Sequence, residues 1–96
     1  MAQVNAIEKH LDHFLQSRAP PKSFCPSEVA RSLSSAELRA EDVEDWRDIM
    51  PRVRQIAEGQ RLRGELEVLQ KGIVIDSETA IEDIKGPIRM RRVVPG

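Results

Sequence analysis

The segment that most limits how this chain can fold runs from Trp46 to Asp76, where the apolar spacing switches from helical to strand-like. Over "WRDIMPRVRQIAEGQRLRG", the residues Trp46, Ile49, Met50, Val53, Ile56 and Ala57 share one face at about 100° per residue. "ELEVLQKGIVID" follows at once and reads as two short strands around a Lys71-Gly72 turn. A two-residue turn pairs Gln70 with Ile73 and Val68 with Ile75. Leu66, Val68, Ile73 and Ile75 then lie on one face, with Glu65 and Glu67 on the other. A three-residue loop would move Ile73 and Ile75 to the glutamate face, so the alternation favours the two-residue register. Lysine is not a preferred residue in a type I′ turn, which leaves the turn type open. A long helix feeding such a hairpin needs further helices to cover the apolar faces of both.

The rest of the chain supplies them. Val4, Ile7, Leu11, Phe14 and Leu15 predict an amphipathic helix from about Ala2 to Ser17, ended by Pro20 and Pro21. "KSF" is extended enough for a small strand. In "CPSEVARSLS", Pro26 suits a first helical position and Glu28 the positive helix end, with Val29, Ala30 and Leu33 as a buried stripe. "SAELRAEDVED" reads as an acidic connection with a turn of helix in it. Pro51 lies opposite the apolar face of the long helix and should kink or restart it, and Gly64 should stop it. "SETAIEDIKG" holds room for a helical turn. "GPIRMRRVV" alternates Ile88 and Met90 with Arg89 and Arg91 as a third strand.

This order predicts an α+β fold of winged helix-turn-helix type, as a single domain over residues 1–96. Three main helices would pack with a small antiparallel sheet formed by the C-terminal hairpin and flanking strands. The long helix takes the recognition position and the hairpin is the wing. Trp46, the one tryptophan, is expected in the core, joining the helices.

Composition narrows the function. Phe14, Phe24 and Trp46 are the only aromatics, too few for a base-stacking platform. One cysteine excludes an internal disulfide. The first residues lack a signal-like apolar run and no segment approaches a membrane span, so a cytoplasmic location and no membrane partner are expected. No P-loop, G-x-G-x-x-G or G-x-S-x-G is present. The expectation is no enzyme: no catalytic, cofactor-binding or metal-binding residues, and no small-molecule substrate. Net charge is −1, with five Lys/Arg against eight Asp/Glu in residues 1–46 and ten against eight in residues 47–96. The basic groups therefore gather in the half that holds the hairpin.

"CPSEVARSL", "WRDIMPRVRQIA", "RGELEVLQKGIVID" and "GPIRMRR" together resemble the small bacterial proteins of domain of unknown function thirty-two fifty-three, over about residues 22–92. The resemblance implies a winged-helix fold and carries no functional residues. "SSAELRAEDVE" and "SETAIEDIK" look longer than the family's links.

Arg47, Arg54 and Arg61 recur every seven residues and form a stripe beside the apolar face of the long helix, with Arg52 and Arg63 on the other flank. In a helix-turn-helix such side chains reach phosphates or guanine edges of double-stranded DNA. Lys71 at the hairpin tip, with Arg89 and Arg91 on the next strand, would contact backbone phosphates. Each also has a plain reading, as a solvated helix flank or as strand charge that resists edge pairing. The leading expectation is DNA binding in transcriptional regulation. The alternative is a protein–protein interaction module on the same scaffold without nucleic-acid binding, favoured by the acidic "EDVED" and the net charge. Contiguous positive charge joining Arg47, Arg54 and Lys71 would mark the first; broken charge with an exposed apolar patch would mark the second. Cys25 is expected to be buried and inert, and His10 and His13 to be surface histidines, two being too few for a zinc site.

Overall fold

The computed structural model describes residues 5–93. The first helix, α1 (Ala6–Ser17), begins later than its periodicity suggested, because the Asn5 side chain accepts the Ile7 N–H at 2.7 Å and caps it. Val4, placed on the apolar face by its spacing, lies outside the described residues. The short α2 (Pro26–Ser32) starts at its proline, with the Glu28 carboxylate accepting the Cys25 N–H at 2.8 Å. The connection folds as α3 (Ser35–Ala40), where Ser34 and Glu37 cap each other reciprocally.

Trp46–Ile49 wind as a 3-10 turn, and α4 (Met50–Leu62) then runs to Gly64. Pro51 marks the restart, at a position whose N–H would have no helical partner. Gly64 adopts φ 78°, and the Gly64 and Glu65 N–H groups return to the carbonyls of Arg61 and Gln60, which closes the helix as a Schellman motif.

The hairpin has the two-residue register. β1 (Leu66–Gln70) and β2 (Ile73–Val74) pair Gln70 with Ile73, and the Ile75 N–H donates to the Val68 carbonyl at 2.8 Å. Lys71 and Gly72 sit at φ 53° and 79°, the left-handed pair of a type I′ turn. β3 (Arg89–Arg92) lies antiparallel on the other side of β1, giving the order β2-β1-β3. Phe24, the end of "KSF", bridges Met90 through two backbone hydrogen bonds of 2.7 and 2.9 Å. A second 3-10 turn, Ile81–Asp83, occupies the predicted helical turn. Among the described residues the architecture is α+β, four α-helices and a three-stranded antiparallel sheet, compatible with a winged-helix-like arrangement.

Ile7, Leu11, Val29, Ala30, Val53, Ala57, Val68, Ile81 and Met90 form an aliphatic core around Phe24, on which Phe14 stacks at 5.3 Å between ring centroids. Two expectations about burial are corrected. Trp46 is only half-buried, packed against the core's edge between the Arg31 and Arg47 guanidinium groups, which lie 4.5 and 4.6 Å from its ring centroid. A 3-10 turn advances about 120° per residue, so a face extrapolated back from α4 loses phase before it reaches residue 46. Ile73 does not pack on the helices. It is 71% exposed, beside the exposed Lys71 and Gly72, and from this face Leu66 and Val68, with half-buried Ile75, cover the core.

Candidate functional site

The stripe of arginines does not survive as a stripe. Arg61 is buried, and its guanidinium donates to the carbonyls of Ile75, Asp76 and Thr79 at 2.7–3.0 Å and to Glu58 at 3.2 Å. Glu58 in turn accepts the Ile81 N–H at 2.6 Å. The expected Arg61 contact to nucleic acid is therefore corrected: this side chain pins the segment after the hairpin onto α4. Its position explains the role. Arg61 lies one turn beyond Ala57, at the edge of the apolar face, where residues 75–81 cross the helix. Because Glu58 is engaged there, it forms no pair with Arg54.

The other predicted contacts scatter. Arg47 belongs to the 3-10 turn, exposed, against Trp46 and 3.5 Å from Asp45. Arg52 is 3.8 Å from Glu41. On the sheet, Arg89 donates to the Ser23 hydroxyl and carbonyl at 2.6 and 2.8 Å, and its guanidinium reaches Glu28 at 4.0 Å. Arg91 pairs with Glu67, its direct neighbour across the strands, at 2.6 Å. Arg54, half-buried, and Lys71, exposed at the hairpin tip, are the two without an ion pair among the described residues. They occupy different concavities. Arg54 lines an open groove of about 1070 Å³ beside α4, and Lys71 the edge of a smaller one of about 280 Å³ against Leu69 and Pro87.

Several side chains outside the predicted set link the helices. Gln60, fully buried, donates to Asp12 at 2.7 Å and ties α4 to α1. His10 is not a free surface group: its Nε2 meets Glu37 at 3.0 Å and its Nδ1 meets the Ser32 hydroxyl at 2.8 Å. The spacing Ser34-x-x-Glu37 was a readable capping signal for one end of this link; its partner on α1 was not. The Ser32–His10–Glu37 order resembles that of a nucleophile, base and acid. However, the Ser32 hydroxyl donates to the Val29 carbonyl at 2.6 Å, and Ser32 lines neither groove. Cys25 is half-buried rather than buried, with its Sγ 3.1 Å from Arg89 Nη1. No group of three His, Cys, Asp or Glu that could hold a metal occurs among the described residues. No helix among them is long and apolar enough to cross a membrane.

Two carboxyls are held below the usual range. For Glu28, burial raises the pKa, but the Cys25 N–H and the Arg18 and Arg89 charges outweigh it. For Glu37, the Ser34 N–H is the main cause, opposed by burial and helped by His10.

Fold and site together define a small α+β protein, compatible with a winged-helix-like arrangement, with an open, mixed-charge groove along its longest helix. The chain belongs to the family described as "Protein of unknown function (DUF3253)", whose model it matches over residues 4–93. That range takes in α1 as well as the blocks that carry the resemblance. No curated protein matches the chain.

Proposed function

We propose that the chain is a protein–protein interaction module, without a catalytic step, rather than a reader of duplex DNA. The observation that supports this reading is the disposition of its cations. Of the seven basic side chains that the sequence suggests for nucleic acid, Arg47, Arg52, Arg61, Arg89 and Arg91 lie within 4.0 Å of a carboxylate, and Arg61 is also buried. A phosphate backbone would have to compete for the exposed ones, and would meet Asp42, Glu44, Asp45 and Asp48 ahead of α4. Leu62, Ile73 and Val74 are in addition apolar side chains left exposed, available to a protein partner. A cytoplasmic setting belongs to this reading, the single cysteine having no internal partner.

Transcriptional regulation through DNA is the competing reading, favoured by the placement of α4 beside a hairpin, with Arg54 and Lys71 unpaired among the described residues. Fluorescence anisotropy with random-sequence duplex DNA at low and moderate salt separates the two. Negligible binding at low salt is expected. Saturable binding that weakens with salt as several released counterions require would overturn the proposal.

A further inference from the structure

The groove beside α4 has a chemistry that narrows the partner, and the inference rests on the interaction-module reading. Half-buried Val43 and Met50 and exposed Pro51 give it an apolar wall. Arg54 is half-buried in that wall without an ion pair among the described residues. Two of the groove's carboxylates are already engaged: Glu58 by Arg61 and the Ile81 N–H, Glu41 by the Asn5 side-chain amide at 3.0 Å and by Arg52. Asp48 and Glu82 are exposed at the rim and unpaired among the described residues.

We propose that this groove binds a short segment of a partner protein in which one acidic side chain is flanked by apolar residues, with its carboxylate seated on Arg54. A guanidinium presents a planar donor fork that matches a carboxylate. Partial burial strengthens that attraction relative to open water. The apolar wall takes the flanking side chains. Arg47 and Arg52, which also line the groove, already face Asp45 and Glu41, so Asp48 and Glu82 are left to repel a second negative charge and select against an acidic run.

The test is selection of random peptides displayed on phage against the whole chain. Enriched peptides should share one Asp or Glu beside apolar residues, and amide shifts on titrating one of them should cluster over residues 43–58 and 80–82. Arg54→Glu should weaken that peptide about 30-fold or more, and exchanging the peptide's acid for lysine should restore binding to this variant. Arg54→Gln, which keeps size and polarity, should also weaken it. Enrichment of peptides without an acid, or equal binding by wild type and both variants, would overturn the proposal. Shifts confined to Ile73 and Val74 would move the surface to the hairpin tip and leave the interaction-module reading standing. No enrichment, or duplex DNA binding that depends on Arg54, would overturn both.

Discussion

Arg61→Ala is the substitution whose effect the structure determines most directly. The side chain is 6% exposed, and four hydrogen bonds leave its two terminal nitrogens. Truncation removes the stem from its packing and leaves the Glu58 carboxylate without its cation. It also strands the carbonyls of Ile75, Asp76 and Thr79. Breaking a buried charge pair from one side costs about 3–5 kcal/mol. Asp76 and Thr79 are exposed, so water can reach part of what is lost. The lower end, about 3 kcal/mol, is therefore expected. A domain of this length has about 5–14 kcal/mol in total, so the variant should fold with a Tm lowered by about 12–24 °C. Arg61→Lys keeps the charge but not the fork that spans three carbonyls, and should fall between the two. Urea denaturation followed by circular dichroism gives the free energies, and hydrogen exchange should show the Ile81 amide losing protection first. An unfolding free energy within about 0.5 kcal/mol of wild type would mean that the guanidinium is solvated, and would return Arg61 to the candidate nucleic-acid contacts.

Trp46→Ala should cost about 2 kcal/mol rather than unfold the chain, because a half-buried ring stacked by two guanidinium groups has less to lose than a core ring; complete unfolding at room temperature would show that the ring is central. Lys71→Asn should stabilise the hairpin by about 0.5 kcal/mol, since asparagine tolerates φ near 53° better than lysine; an unchanged or lower melting temperature would argue against the type I′ turn. In the folded protein the Glu28 and Glu37 carboxyls are held below the usual carboxylate range. Their stabilisation is therefore complete above the unfolded pKa and lost as pH falls through the folded one. Glu37→Gln should flatten the acid side of the stability–pH curve, and an unchanged acid limb would refute the link.

Periodicity and punctuation determined most of the secondary structure. The register of β1 and β2 followed from which residues had to share a face, Pro26 and Pro51 marked helix starts, and Gly64 marked a helix end. Each depends on backbone sterics or alternation within a few residues, so the local string contains the needed terms. Arg54 and Lys71 remained candidates because neither acquires an ion-pair partner among the described residues.

What only tertiary structure decided was which charges are already spent. Arg61 looks like a neighbour of Arg54 along the helix, yet its three carbonyl acceptors lie 14–18 residues away, on a segment whose path across α4 no periodicity encodes. His10 meets Glu37 across 27 residues, and Arg91 meets Glu67 only because β1 and β3 align them. Trp46 lost its predicted place in the core when a single 3-10 turn shifted the phase, and Ile73, next to the hairpin turn, stayed exposed. A side chain's type states which interactions it can make. Whether it makes them within the fold or offers them to a partner depends on groups that the chain brings together only on folding.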